Sequence, residues 1–287
     1  MRFRSLLDKI RNAPELKDPF THLHLDDFFD ERDFRDIVSA PEVNLEPQPS
    51  DERLFQALFE RGYEIIGFPG CIGDERVYLE WHKEKRRQVS HNNTACEGFG
   101  VALRLTKPRS PVIAELLQFL GSPEFQKTLA EKFAIDQARV YYDAGLQKYL
   151  DGYEISPHPD VRKKALTFMV NLNPHGRSET LEYHTHYMRF REAYRYVQAY
   201  WEGNPGKERC WVPWEWCETS KVQTRNNSIV AFSPRNDTIH AVKARYDHLT
   251  TQRTQLYGNL WYHQSVTDGY PAWEEFVIES KKNCPPQ

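Results

Sequence analysis

The chain carries Ile155-Ser156-Pro157-His158-Pro159-Asp160 and, much later, Thr238-Ile239-His240-Ala241-Val242. His158 and Asp160 are two residues apart, a spacing that puts both side chains on one face of an extended strand. Pro159 between them has no N–H to offer a ladder, which places the pair at a strand end or in a turn. His240 comes eighty residues after Asp160 (240 − 160). If the three act together, His240 must arrive on a different strand, and a closed or sandwiched sheet can bring such remote strand ends side by side.

Two imidazoles and one carboxylate are the mixed nitrogen and oxygen shell that suits a non-haem Fe(II) ion, and three protein ligands leave the opposite face of the ion open. Alone, an HxD pair is weak, because a His near an Asp is ordinarily a surface or turn feature. The surroundings raise its weight. Gln147-Lys148-Tyr149-Leu150-Asp151-Gly152-Tyr153 runs into a Gly bend before the pair, and Ala165 to Asn173 reads as a strand closed by Asn173-Pro174. Ser228-Ile229-Val230-Ala231-Phe232 is a second apolar strand before Ser233-Pro234. From Arg253 to Tyr262 the chain alternates with period two, so Arg253, Gln255, Tyr257, Asn259 and Trp261 share a face.

Residues from about Arg139 to Tyr262 resemble the 2-oxoglutarate- and Fe(II)-dependent oxygenases, in particular their prolyl-4-hydroxylase-like branch. Tyr149, Gly152, His158, Asp160, Leu172-Asn173, Phe232, His240-Ala241-Val242 and Arg253 match the family's pattern in order. The resemblance implies a mainly β fold with flanking helices (α+β), a double-stranded β-helix or jelly-roll core braced by N-terminal helices. It implies an oxygenase using Fe(II), with 2-oxoglutarate and molecular oxygen as co-substrates. His158, Asp160 and His240 are then the metal ligands and the catalytic centre, and Arg253 binds the far carboxylate of 2-oxoglutarate, helped by Tyr149 and Asn171. Two positions depart from the pattern: Asn171 stands where a tyrosine is common, and Gln255 where a hydroxyl residue is common. Arg245, five residues after His240, competes with Arg253 but reads as a solvated strand residue.

The implied reaction is hydroxylation or another oxidation of an unactivated C–H bond in a small-molecule or natural-product substrate. A prolyl-type protein or peptide hydroxylase is the alternative within the family, and a cupin-like metal-binding protein the alternative outside it. Asp160 argues against a halogenase of the same fold, which would replace the carboxylate.

One oxygenase domain over 1–287 is expected, with a helical support region at 1–137, a catalytic core at 138–264 and a tail at 265–287. An insertion at 184–224 interrupts the core. Within it, 189–201 reads as a helix with Phe190, Ala193, Tyr194, Val197 and Trp201 on one face, followed by Trp211, Trp214 and Trp216. The insertion is a candidate lid, with Tyr183, His184, His186, Arg191 and Arg195 as candidate substrate contacts, although aromatic stripes more often serve packing. Gly176 to His184 resembles the family's short Gly-Thr strand.

Helices are also expected at 50–59, capped by Ser50, at 111–120, and from Pro123, with Ser122 as cap. The net charge of −3 offers no general attraction to nucleic acid, and no apolar run approaches the ~20 residues that cross a bilayer. The start lacks a secretory apolar segment. Cys71, Cys96, Cys210, Cys217 and Cys284, odd in number and without CxxC spacing, read as reduced thiols of a cytoplasmic protein. His22 and His24 alternate with leucines and read as cover for a core edge.

Overall fold

A computed structural model describes residues 2–67, 71–84, 100–265 and 267. The elements run α1 (Ser5–Asn12), β1 (Glu15–Leu16), β2 (His22–Leu25), α2 (Glu31–Val38), α3 (Asp51–Glu60), β3 (Tyr63–Ile66), α4 (Glu75–Lys83), β4 (Ala102–Leu105), α5 (Pro111–Leu120) and α6 (Pro123–Lys132). After them come β5 (Val140–Tyr149), β6 (Glu154–His158), β7 (Lys164–Asn171), β8 (Thr185–Phe190), α7 (Arg195–Gly203), β9 (Cys217–Val222), β10 (Ile229–Phe232), β11 (His240–Lys243) and β12 (Arg253–Tyr262).

The period-two run at the end of the core becomes β12, which is flanked on both sides, antiparallel to β5 and to β7. These strands are central in a large sheet ordered β1-β2-β10-β7-β12-β5-β4-β3, while β6-β11-β8-β9 form a smaller sheet. All pairings are antiparallel. Because side chains alternate, the large sheet has two different faces. Leu256 and Leu260 join Leu146, Leu166, Phe168 and Val170 in the apolar core that also takes Leu54 and Phe55 of α3, Leu116 and Phe119 of α5 and Phe125 and Leu129 of α6. The N-terminal helices thus cover the outer face, as their apolar stripes require. A side chain at Gly258 would put its Cβ 2.3 Å from the Phe168 ring and 2.6 Å from Ala144 Cβ, so this close strand crossing needs glycine.

The opposite face carries Arg253, Gln255, Tyr257 and Asn259 toward the smaller sheet. Arg253 Nη2 donates to Thr185 Oγ1 of β8 at 3.1 Å, Thr167 of β7 donates to Asp160 at 2.7 Å, and the Phe232 ring lies 5.1 Å from that of His240. The two antiparallel sheets therefore enclose a polar space lined from both sides.

Local signals worked where the cap or the period was explicit. Ser50 and Ser122 accept from the N–H groups of Arg53 and Phe125. Other expectations need correction. The helix over 189–201 starts later: Arg189 and Phe190 pair with Glu218 and Cys217, which makes them the end of β8, and α7 begins at Arg195. The stretch 184–224 is not wholly an excursion, since β8 and β9 belong to the smaller sheet. The 176–184 stretch holds a 3-10 turn at Ser178–Thr180 and a lone bridge from Glu182 to Arg245 instead of a strand. Among the described residues no helix is long and apolar enough to cross a membrane. Cys71, Cys210 and Cys217 are free thiols; Cys96, Cys284 and all but two residues of the expected 265–287 tail lie outside the described residues.

Candidate metal centre and anion pocket

Antiparallel pairing of β6 with β11 sets His158 opposite His240, so the residues remote in sequence become neighbours with ring centroids 4.3 Å apart. Asp160 lies just beyond β6 with φ at 65°, a left-handed backbone that an aspartate adopts at a cost and that turns the chain after Pro159. One nitrogen of each imidazole and one carboxylate oxygen fall within 4.8 Å of one another. All three residues are buried, at 5–7% exposure.

The hydrogen bonds of the rings decide what this cluster can bind. His158 Nδ1 lies 2.8 Å from the Ser156 carbonyl and His240 Nδ1 lies 3.0 Å from the Thr238 carbonyl. A carbonyl can only accept, so both Nδ1 atoms carry a proton, which leaves Nε2 as the ring atom through which each imidazole can ligate. Those Nε2 atoms face Asp160 across 3.5 and 3.9 Å. Ligands held at right angles about 2.1 Å from a first-row ion stand roughly 3 Å apart, so gaps of this size accommodate an ion after small adjustments. Burial, and then the neighbouring His158, push the His240 imidazole down to about 3, which keeps it neutral and able to ligate.

Asp160 is itself held from two sides. Thr167 Oγ1 donates to Oδ2, while Lys164 Nζ donates to Oδ1 at 2.6 Å and to the Tyr257 hydroxyl at 2.8 Å. Burial opposes the Asp160 charge, but Lys164 and the two histidines outweigh it and hold the carboxyl well below its usual range. Lys164 and Thr167 had no spacing that marked them in the sequence; only their convergence on Asp160 does, and Tyr257, on the period-two face of β12, reaches Asp160 only through Lys164.

Arg253 is 2% exposed and has no carboxylate partner among the described residues. Its guanidinium lies over the Tyr149 ring at 4.5 Å, Nη2 reaches Thr185, and Nε makes no hydrogen bond. Burial pushes its pKa down. A buried guanidinium with spare donors is a site waiting for an anion. Thr185 stands two residues along β8 from Tyr187, the partner of His240 in the ladder, so Arg253 meets β8 about 7 Å along the sheet from the triad.

The remaining candidates divide. Tyr149 supports Arg253 through its ring. Asn171 is buried but spends its amide on the carbonyls of Gln223 and Arg225 and accepts from Gln255, so the two departures from the family pattern satisfy each other. Tyr183 and His184 are buried together, ring centroids 4.7 Å apart, with His184 Nε2 2.9 Å from the Ser178 carbonyl, and both line the same external cleft as His186; burial, then Arg253, push His184 down to about 4. His186 pairs with Ala241 and packs on Trp214, on the sheet face opposite to the triad. Arg245, with Lys243, lines an external cleft of about 550 Å³ beside His186. Arg191 bonds the Cys217 carbonyl and Arg195 pairs with Glu192 at the surface, so neither is brought to the triad. The insertion contributes another residue there, Trp211, whose ring lies 6.1 Å from that of His158; Arg209, two residues before it, is also buried.

Solved structures with a similar chain path include a prolyl-4-hydroxylase from Pseudomonas putida, at 9% identity over 75% of this chain and 100% of that one, TM-score 0.35. An oxidoreductase of the 2OG-Fe(II) oxygenase family from Burkholderia pseudomallei is similar at 12% identity over 77% and 96%, TM-score 0.30. EvdO2 from Micromonospora carbonacea var. aurantiaca, complexed with 2-oxoglutarate, is similar at 13% identity over 78% and 96%, TM-score 0.33. The superfamily resembled in the motifs recurs among these structures. No protein-family profile and no curated protein matches the chain. Overlaps this loose carry no functional weight; the residues of the site do.

Proposed function

We propose that the protein is a 2-oxoglutarate-dependent Fe(II) oxygenase with a double-stranded β-helix core, acting on a small molecule. The observation that carries this reading is the pairing, between two facing sheets, of a metal-ready triad with a buried arginine that has no counter-ion among the described residues. A cupin-like binding protein needs the first but not the second.

The donor set fits the ion: two imidazoles whose Nε2 atoms face an ionised carboxylate, each oriented by a further hydrogen bond. When bound, Fe(II) with 2-oxoglutarate and oxygen supplies the oxidising power for C–H attack. The chain supplies everything else. Arg253 would hold the distal carboxylate of 2-oxoglutarate, and the Tyr149 ring beneath the guanidinium would fix the direction in which it points. Thr167 and Lys164 hold Asp160 in one orientation and neutralise its charge. Phe232 and Trp211 shield the rings of His240 and His158 and exclude water from the reacting centre.

Arg253→Lys keeps the charge and loses the planar fork. Its apparent affinity for 2-oxoglutarate should drop about tenfold or more while metal affinity stays near wild type, read by anaerobic calorimetry on Mn(II)-loaded protein. Unchanged 2-oxoglutarate binding would remove Arg253 from the co-substrate site.

A further inference from the structure

Arg209 lies on the loop between α7 and β9 and is 6% exposed. Its side chain makes no hydrogen bond and no ion pair among the described residues, and its Nε is buried without a partner. Adjacent charges do not neutralise it. Glu208 Oε1 accepts from the backbone N–H groups of Arg162 and of Arg209 itself, at 2.9 and 2.8 Å, and its carboxylate makes no ion pair with the Arg209 guanidinium. Arg162 is a second cation, committed to the carbonyls of Lys207 and Trp201. Asp160 is taken by Lys164 and Thr167, and Asp237, near enough for its charge to be felt, makes no ion pair with Arg209.

Two residues on, Trp211 presents a buried indole Nε1–H that also lacks an acceptor. The Val212 N–H donates to the Pro157 carbonyl at 2.9 Å, which docks this stretch beside the end of β6. Two buried donors, two residues apart in the stretch that packs Trp211 on His158, therefore lack an acceptor among the described residues. Such donors cost stability unless a ligand supplies acceptors.

We propose that Arg209 and the Trp211 indole N–H form a specificity site for an oxyanion, carboxylate or phosphate, on the oxidised small molecule. This rests on the oxygenase reading only in taking the triad as the reacting centre. The site is separate from Arg253: Arg209 comes from the insertion stretch that packs Trp211 on His158, whereas Arg253 reaches Thr185 from β12. The substrate's anion binds the guanidinium, the indole side fixes its orientation, and the remainder of the molecule faces the triad. Bidentate geometry favours a carboxylate, since a guanidinium fork matches its two oxygens.

The test uses Mn(II)-loaded full-length protein saturated with 2-oxoglutarate without oxygen, titrated calorimetrically with benzoate, phenyl phosphate and benzamide. One of the two oxyanions should bind at least about tenfold more tightly than neutral benzamide, and Arg209→Gln should abolish that preference while leaving 2-oxoglutarate affinity within about twofold of wild type. The stronger of benzoate and phenyl phosphate names the group. Trp211→Phe, which keeps an aromatic ring and removes the indole N–H along with part of its bulk, should weaken the same probe by about three- to tenfold relative to benzamide and serves if Arg209→Gln does not fold. Equal binding of benzoate and benzamide, no binding of any probe at millimolar concentration, or an oxyanion affinity indifferent to both substitutions overturns the proposal. Failure of the oxygenase reading looks different: 2-oxoglutarate then shows no metal-dependent binding, whatever the probes do at Arg209.

Discussion

Among the described residues two clusters combine histidine with aspartate, and they are wired in opposite ways. In the triad the Nδ1 atoms of His158 and His240 give their protons to carbonyls and the Nε2 atoms look inward across gaps of 3.5 and 3.9 Å to Asp160. In the second cluster Asp51 at the start of α3 meets His82 of α4 at 2.6 Å and His248 of the β11–β12 loop at 2.7 Å. There the His248 Nδ1 accepts from the Asp151 N–H at 3.0 Å, so its proton sits on Nε2 and is donated to Asp51. His82 bridges Asp51 and Asp151 through both ring nitrogens. Equal residue types thus give a set of metal donors in one place and a closed hydrogen-bonded clasp between helices and core in the other. Which carbonyl or N–H meets Nδ1 makes the difference.

The largest effect that would break this contrast is on metal binding. Asp160→Ala should lower Fe(II) or Mn(II) affinity by more than ~100-fold and abolish turnover, since loss of a ligand exceeds the loss of a supporting bond. Asp51→Ala should leave the metal stoichiometry at one. A second equivalent of metal, lost on substitution of Asp51, would mean that the clasp is a site after all.

Stability should respond in the reverse order. Asp51→Asn removes the charge that His82 and His248 address and should cost about 3 kcal/mol in urea unfolding at neutral pH, with metal affinity unaltered. Burial raises the Asp51 carboxyl, but hydrogen bonds from His248 and His82 outweigh it and hold the carboxyl below its usual range. A carboxylate with a depressed folded value contributes stability above its unfolded value of about 3.9 and loses it as pH falls through the folded value. The gap between wild type and Asp51→Asn should accordingly close in acid, below about pH 4. A constant gap from neutral to strongly acidic solution would locate the cost elsewhere.

A smaller effect sharpens the other half. Thr167→Val keeps the shape and deletes the donor to Asp160 Oδ2, so metal affinity should fall by roughly tenfold with little loss of fold stability. Unchanged affinity would show that Lys164 alone orients the carboxylate.

Legibility followed the range of the signal. The HxD spacing, the alternation of Arg253 to Tyr262 and the caps at Ser50 and Ser122 are local patterns that the backbone period imposes, and the structure keeps each of them. The insertion was harder to read: its helix period overlapped a strand because Arg189 and Phe190 take their partners from β9, almost thirty residues on. Candidate contacts drawn from its arginines fell on Arg191 and Arg195, which bond locally, while the buried Arg209 sits in an irregular stretch with no period to flag it.

What the amino-acid order determined by itself is the set of strand faces: period two fixes which side each residue of β12 presents, and so puts Arg253 among inward polar groups whatever lies opposite. Tertiary structure decided the partners. Antiparallel pairing of β6 with β11 brings His158 to His240, the loop after α7 delivers Trp211 beside His158, and the packing of α3 and α4 on the core edge closes the Asp51 clasp. These are through-space encounters between residues up to 197 positions apart, and ring tautomers follow from whichever backbone group each imidazole then meets.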